Sequence, residues 1–348
     1  MIGEFKALNW RSFERTHWFF ERKNLLIGRN GSGKSNILEA LGFLGILRSF
    51  RTARLAELMR SETTEFHLRG IWQEESRKTV LDIAVNSSGE RQLTVNGIRE
   101  RSGRDFIRHF FPVVFAPEDM ETICGAPGAR RRFFDMTVSQ LSDSYVNILH
   151  DYIAALKARN LMLKNPRKLD ITKLEAYESV MAFAAAELTA RREKFIGEFN
   201  KMLSALAPKD SEKISIEYHP QCSGGAEAYL AAFARSRNRE MEKRTTLTGC
   251  HLDDYRFCLA NKNMRGFASN GQNRMAALNT KLAAARMLMQ NHGAEKLVAL
   301  VDDVTGELDK YHRELFFETI QPAGQLFFTY TSVPEDKFFK DARVQNLP

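Results

Sequence analysis

Cysteine is scarce in this chain of 348 residues, and its four cysteines, Cys124, Cys222, Cys250 and Cys258, are scattered along it. No two of them form a Cys-x-x-Cys pair and no histidine stands at zinc-ligand spacing, so the sequence indicates neither a disulfide framework nor a structural zinc site. We therefore expect reduced thiols with mainly structural roles.

Long hydrophobic runs are also lacking. The apolar run at 297–301 is far shorter than the roughly 20 residues that a membrane helix needs. The amino terminus carries charges every few residues and lacks the apolar segment of a signal peptide. We expect a soluble, cytoplasmic protein with no membrane partner.

The composition is that of a globular protein, with 43% hydrophobic and 27% charged residues. The length allows two domains or one elaborated domain with a large core. Lysine and arginine number 51 against 43 acidic residues, which gives a net charge of +8. This excess favours a polyanionic partner without identifying one.

Hydrophobic patterning divides the chain into a β-rich start, a helical middle and an α/β end. Strands are predicted at 2–8, 25–27, 66–72, 80–85, 93–98, 214–218, 297–301 and 326–330, with a hairpin turn at 86–91. Helices are predicted at 35–47, 226–243 and through most of 118–206. The last two strands lack alternation, which is typical of parallel strands buried on both faces. We predict an α/β head formed by 1–115 and 245–348, with a mainly helical inserted lobe, 116–244, too short for a long coiled coil.

A phosphate-binding loop follows the strand at 25–27. The segment from Gly28 to Ser35 matches G-x-x-x-x-G-K-[ST], the Walker A pattern, and a helical sequence follows it. In this pattern Lys34 reaches the β- and γ-phosphates and the Ser35 hydroxyl ligates Mg²⁺. The alternative is a glycine-rich turn that begins a helix by chance. The predicted nucleotide-binding residues here are Gly28, Arg29, Asn30, Gly31, Ser32, Gly33, Lys34, Ser35 and Asn36.

Two carboxylates end the apolar strand at 297–301. Asp302 is expected to hold Mg²⁺ and Asp303 to orient and deprotonate the attacking water, so Lys34 and Asp303 are the predicted catalytic residues. The alternative is that both aspartates merely begin a turn. Walker A and these aspartates stand near opposite ends of the chain, which favours an ABC-type organisation with an insertion.

A third element, Ser269-Asn270-Gly271-Gln272, precedes an alanine- and leucine-rich helix. Ser269, Gly271 and Gln272 form a candidate ABC signature motif, because a helix amino terminus attracts anions; taken alone, the pattern is an N-cap. In ABC-type ATPases the signature motif and the Walker A loop contact one γ-phosphate from different subunits, so we expect an ATP-dependent homodimer. The segments 305–309 and 329–332 are predicted as the D-loop and the switch segment.

The motifs together resemble the RecF family of ABC/SMC-like ATPases along nearly the whole chain. Further similar segments are 48–52 (RSFRT), 116–120 (APEDM), 128–135 (GARRRFFD), 246–254 (TLTGCHLDD) and 301–309 (VDDVTGELD). Departures from the family pattern occur at Cys250, Leu252, Asn270 and Asn273.

The resemblance implies an ATP- and Mg²⁺-dependent homodimer with weak ATPase activity that acts in DNA replication, recombination, repair and the SOS response. It implies binding to DNA at single-strand gaps and cooperation with RecR and RecO in loading RecA. Candidate DNA contacts are Arg48, Arg51, Arg54, Arg130, Arg131 and Arg132. Such groups contact phosphates without reading sequence, but each cluster alone is also typical of a solvated helix face or an internal ion pair.

Two other classes remain as alternatives. The ATPase subunit of a transporter would carry its signature motif much closer to Walker A than Ser269 is to Lys34. A P-loop kinase would need an acceptor site and would not need the segment that begins at Ser269.

Overall fold

The computed structural model of the chain describes residues 1–74, 77–165, 167, 169–207, 213–304, 306 and 308–347. Its strands in chain order are β1 Ile2–Trp10, β2 Phe13–Phe19, β3 Lys23–Ile27, β4 Glu65–Glu74, β5 Arg77–Asn86, β6 Arg91–Val95, β7 Ile98–Arg99, β8 Phe111–Phe115, β9 Ile214–His219, β10 Asp254–Leu259, β11 Lys262–Asn263, β12 Leu297–Asp302, β13 Gln325–Tyr330 and β14 Arg343–Asn346. Its α-helices are α1 Lys34–Ile46, α2 Gly103–Phe106, α3 Met120–Cys124, α4 Pro127–Leu141, α5 Asp143–Leu163, α6 Ile171–Ser204, α7 Gly225–Lys243, α8 Asn270–His292 and α9 Lys310–Ile320.

The chain forms two compact units. The first unit consists of Met1–Asp119 and Lys281–Pro348, and the second of Met120–Thr280. The predicted head and lobe met at 115 and 244, so the second boundary lies further along the chain than expected. The reason is strand pairing: β10 pairs antiparallel with β9, which keeps the segment after residue 244 in the second unit.

A five-stranded parallel sheet organises the first unit, in the order β14-β3-β13-β12-β8. Strands from both ends of the chain share it, as predicted. Residues of β12 are all buried, which explains why its sequence shows no alternation. The register pairs Asp302 with Thr329, and Tyr330 with Ile27. The loops that follow β3, β12 and β13 therefore leave from one edge of the sheet.

The remaining strands of the first unit form a six-stranded antiparallel sheet, in the order β2-β1-β4-β5-β6-β7. The sequence predicted most of these strands but not that they form a sheet of their own. One core joins the two sheets through α1: Trp10 and Phe66 from the antiparallel sheet, Leu41 from α1, and Leu300 and Phe327 from the parallel sheet belong to the same buried cluster.

The second unit combines α3 to α7 and the start of α8 with a three-stranded antiparallel sheet, in the order β11-β10-β9. The unit is mainly helical, as predicted. The sequence did not predict its small sheet. Its longest described helix, α6, has 34 residues and packs against α5 and α7, so the described chain contains no long coiled-coil arm. None of the described helices is both long enough and apolar enough to cross a membrane.

Candidate nucleotide-binding site

The loop between β3 and α1 has the backbone of a phosphate cradle. Gly31 and Gly33 have φ angles of +87° and +97°, in the left-handed region that glycine adopts without strain. A Cβ at Gly33 would also lie 2.7 Å from a ring carbon of Phe13. Glycine at position 33 is therefore required twice, by its backbone conformation and by the Phe13 ring.

The amino terminus of α1 is left open to an anion. Its N-cap, Gly33, has no side chain to accept a hydrogen bond from the first turn, and no acidic residue occupies that turn. The helix dipole and the unpaired N–H groups therefore favour a negatively charged ligand here. Ser32 adds a buried hydroxyl that has no hydrogen-bond partner among the described residues. A phosphate oxygen would satisfy this group.

Lys34 lies inside the loop and is only 9% exposed. Its ammonium donates to the carbonyl oxygens of Gly28, at 2.6 Å, and Arg29, at 2.9 Å. An ammonium has three N–H donors, so one remains for a phosphate oxygen. The loop thus holds the Lys34 ammonium against the backbone of Gly28 and Arg29.

Ser35 and Asp302 meet at the edge of the parallel sheet. The Ser35 hydroxyl donates to Oδ1 of Asp302 at 2.9 Å, and the hydroxyl of Thr329 donates to the same oxygen at 2.8 Å. Asp302 is 7% exposed. A hydroxyl beside a carboxylate is an oxygen donor set that suits Mg²⁺, which takes its other ligands from phosphate and water. The residues predicted for Mg²⁺ therefore fit it.

Asp303 follows in a left-handed conformation, with φ of +51°. Its backbone N–H donates to the Thr329 hydroxyl at 3.1 Å, and its side chain is exposed. Non-glycine residues with positive φ are uncommon, although aspartate is enriched among them. Asp303 therefore lies directly after β12, with its backbone bonded to Thr329 and its side chain open to solvent. Of the predicted D-loop, Thr305 and Glu307 lie outside the described residues.

A buried carboxylate on α1 was not predicted from the sequence. Glu39 is fully buried. It accepts hydrogen bonds from Nε and Nη2 of Arg11, at 2.8 and 2.7 Å, and from the Ser49 hydroxyl. Arg51 donates to Asn36 Oδ1 at 3.0 Å and lies 3.8 Å from Glu39. This cluster fixes the RSFRT-like segment beside the first turn of α1. A glutamate among the apolar residues 37–46 is the signal that could have revealed it.

The candidate signature motif lies in the second unit. The Ser269 hydroxyl accepts from the backbone N–H of Gln272 at 3.2 Å, and the Gln272 side chain accepts from the N–H of Ser269 at 2.8 Å. This reciprocal pair is a capping box, so the N-cap interpretation is correct as far as it goes. Gly271 and both capping residues are exposed. The helix end is therefore ordered and accessible at the same time.

The candidate DNA-contacting arginines divide into exposed and internal ones. Arg130 is 3% exposed and forms a two-pronged ion pair with Asp254, at 2.7 and 3.1 Å. Arg130 therefore forms an internal ion pair, one of the two interpretations that the sequence left open. In this structure its guanidinium is buried and does not lie on a surface that DNA could contact. Arg131 donates to the carbonyl oxygen of Asp253 at 2.6 Å.

Four of the six candidate arginines are exposed. Arg48 and Arg132 are exposed, and the side chain of Arg54 is 83% exposed although it lies 3.4 Å from Glu57. Arg51 is exposed as well, but its guanidinium also contacts Asn36 and lies near Glu39. Electrostatic contact with a phosphate backbone needs cations that reach solvent, and these side chains meet that requirement.

The cysteines form no disulfide, and the described residues contain no cluster of metal-binding side chains. All four cysteines are free; Cys250 and Cys258 are buried and Cys124 is exposed. No group of three or more His, Cys, Asp or Glu side chains in the described part of the chain is arranged to hold a metal ion by itself. The Ser35 and Asp302 pair does not need such a group, because Mg²⁺ beside a triphosphate is only partly ligated by protein.

The fold has close counterparts among solved structures. It is similar to the recombination mediator protein RecF-ATP of the RecFOR pathway, with a TM-score of 0.89 and 27% identity over 97% of this chain and 93% of that one. A second structure, RecF-ATPrS, gives a TM-score of 0.87 and 26% identity over 100% and 96% of the two chains. The fold is that of the ABC-type P-loop ATPases, which confirms the predicted fold class.

The sequence agrees with the structural match. Residues 1–344 match the family model described as RecF/RecN/SMC N terminal domain. The chain is 33% identical to the DNA replication and repair protein RecF of Streptococcus pneumoniae (strain CGSP14), over 97% of this chain and 92% of the relative. The chain belongs to the RecF family, and the predicted resemblance is confirmed. The protein of the same name from Oceanobacillus iheyensis is 32% identical, over 95% and 94% of the two chains.

Proposed function

We propose that this protein is an ATP-switched, DNA-binding mediator of recombination and repair. The observation that carries the proposal is the cluster of Lys34, Ser35 and Asp302 at one edge of the parallel sheet, in a chain similar to RecF. Phosphate-binding loops of this kind bind purine triphosphates with Mg²⁺. A role on chromosomal DNA would place the protein in the cytoplasm.

The residues divide the work at the nucleotide. The N–H groups at the start of α1 and the Lys34 ammonium bind and orient the phosphates. Ser35 and Asp302 would hold Mg²⁺, which would neutralise charge on the phosphate oxygens. Asp303 accepts the proton of the attacking water. Because Asp303 leaves the strand in a left-handed turn, its carboxylate is free to reach that water.

Hydrolysis requires a second copy of the chain in this proposal. Ser269, Gly271 and Gln272 of the second copy close the site from the other side of the γ-phosphate. The exposure of Ser269, Gly271 and Gln272 supports this, because the positive end of the helix dipole at an exposed amino terminus favours an anion. ATP then holds two copies together as a DNA-binding dimer, and slow hydrolysis releases it.

The DNA role follows the family. We propose binding at single-strand gaps and cooperation with RecR and RecO in loading RecA, with Arg48, Arg54 and Arg132 as exposed phosphate contacts. The relatives are named for DNA replication and repair and the matching structures for the RecFOR pathway, and both support this assignment.

Sedimentation of the purified chain with and without ATP tests the proposal. We expect a monomer without ATP and a dimer with it. Lys34→Ala removes the phosphate-binding cation and is expected to abolish both ATP binding and the dimer, whereas Asp303→Asn is expected to retain ATP and accumulate the dimer. Lys78→Ala, at an exposed position of β5, is the matched control. A wild-type chain that binds ATP yet remains a monomer would overturn the composite site.

A further inference from the structure

One aromatic side chain is far more exposed than its chemistry favours. Phe267 is 88% exposed, the largest value among the described large hydrophobic residues. The backbone N–H groups of Phe267 and Ala268 both donate to the carbonyl oxygen of Met264, at 3.2 and 3.0 Å, and Met264 is itself buried. An anchored turn therefore holds the ring outward. Single exposed apolar residues are common on proteins, so exposure alone does not indicate an interaction site. The location of the ring in the fold has to supply that evidence.

That position is two residues before the capping serine. Consecutive Cα atoms are 3.8 Å apart, so the Cα atoms of Phe267 and Ser269 lie within about 7.6 Å of each other. Residues 265–267 and 269–272 are all exposed, which makes one accessible ridge. If Ser269 contacts a phosphate held by the Lys34 loop of a second copy, a surface of that copy must also cover Phe267.

We propose that Phe267 is an apolar anchor of the ATP-bound dimer, packing on the second copy of the chain beside its phosphate loop. This inference rests on the proposed function. Aromatic side chains that become fully buried dominate the energetics of protein interfaces. In a two-fold dimer each copy contributes the same residue, so both rings leave water when ATP closes the interface. The ring would thus couple nucleotide binding to association without touching the nucleotide.

The dimer dissociation constant at saturating ATP is the first measurement. We expect Phe267→Ala to weaken dimerisation about tenfold or more, because two hot-spot side chains are truncated at once. Binding of a fluorescent ATP analogue to the monomer should stay unchanged. Since the lost contact is apolar, the defect should be equal at low and high salt. Ile98→Ala is the matched control, because Ile98 is 72% exposed and lies on β7, an edge strand of the antiparallel sheet.

Fluorescence gives a second readout. In Phe267→Trp the new indole should move from water into an apolar contact when ATP is added, which shifts its emission to the blue. The wild-type spectrum, from Trp10, Trp18 and Trp72, is subtracted. The same substitution combined with Lys34→Ala should show no shift, because that chain cannot bind the triphosphate.

The outcomes separate this inference from the function on which it rests. If the wild type dimerises with ATP and Phe267→Ala dimerises equally tightly, the anchor is refuted and the proposed function stands. If the wild type does not dimerise, both are refuted. If Phe267→Ala forms the dimer normally but loses affinity for single-stranded DNA, the ring stacks on bases instead, which also refutes the anchor.

Discussion

Two buried arginines in this protein are each paired with carboxylates. Arg159 and Arg192, at 0% and 2% exposure, each bind two carboxylates. Asp253 accepts from Arg192, from the hydroxyl of Tyr218 and from a backbone N–H. A buried ion pair need not stabilise a fold relative to apolar residues, but removing one partner leaves an uncompensated charge. Substitutions at single members of these sets should therefore have large effects.

His251 provides a residue-scale prediction of pH dependence. Burial lowers the pKa of His251 from 6.5 to about 4, and its Nδ1 lies 2.6 Å from the Tyr152 hydroxyl. Between these two pH values the unfolded chain binds a proton that the folded chain does not. Stability should therefore fall as the pH drops from about 6.5 to about 4, by up to about 1.4 kcal/mol per pH unit.

Urea midpoints measured across that range check the prediction. His251→Gln should be less stable than the wild type at pH 7, since it loses the contact with Tyr152, but its midpoint should depend less on pH. His150→Gln is the control, because the His150 side chain is 79% exposed. Parallel pH profiles for the wild type and His251→Gln would contradict the prediction.

The residues of the candidate nucleotide site could be proposed from the sequence because the phosphate loop is a local pattern. The strand, the glycines and the Lys34-Ser35 pair lie within a few residues of one another. The partners of these residues could not be predicted in this way, because they are distant in the sequence. Phe13 lies against Gly33, and the Thr329 hydroxyl donates to Asp302, only once the chain has folded. Likewise, nothing in the triplet 130–132 says that Arg130 is the member that turns inward. Sequence carries local geometry well and long-range pairing poorly.

At the scale of elements, one arginine of α6 connects that helix to α4 and to the 246–254 loop of the second unit. Arg192 on α6 binds Asp135 on α4 at 2.8 Å, and both Asp253 and the carbonyl oxygen of Cys250 in the 246–254 loop, also at 2.8 Å. A loop has few backbone bonds of its own, so its conformation here depends on this side chain. The segment that resembles a RecF motif is thereby held from inside the unit.

Arg192→Met should therefore destabilise the protein strongly. The thioether chain fills part of the volume but leaves Asp135 and Asp253 without their cation, a change expected to cost about 3–5 kcal/mol. Lys194→Met is a matched control two residues away on the same helix, because Lys194 is exposed and a surface substitution should change stability by less than about 1 kcal/mol. Urea denaturation followed by circular dichroism measures both. Equal midpoints for the two variants would show that the network is not stabilising.

Element boundaries show where patterning stops being informative. The predicted strands at 297–301 and 326–330 correspond to β12 and β13, because buried parallel strands are apolar throughout. The edge strands β2 and β14 carry charged and half-exposed residues and gave no such signal. The end of the inserted unit was misplaced because β10 returns to β9, a pairing that composition does not reveal.

At the scale of the molecule, a net charge of +8 acts only through the cations that reach solvent. Arg130 and Arg237 are engaged by Asp254 and Glu178, at 2.7 and 2.6 Å, and so contribute little to a DNA-binding surface. The field that attracts a polyanion comes instead from exposed side chains such as Arg48 and Arg54. Cations held in internal ion pairs are unavailable to a polyanion, and the exposed cations remain available to bind phosphates.

Salt dependence of DNA binding tests this division. For the ATP-bound protein on a gapped duplex, we expect the logarithm of the binding constant to fall linearly with the logarithm of salt concentration. Each phosphate contact contributes a slope of about 0.7 to 0.9. The double variant Arg48→Ala, Arg54→Ala should bind more weakly and reduce the slope by about 1.4 to 1.8. Arg256→Ala, which removes an exposed arginine of β10 paired with Glu217 at 3.2 Å, should leave the slope as it is. A binding constant indifferent to salt would exclude phosphate contacts as the basis of DNA binding, because released counterions are their unavoidable consequence.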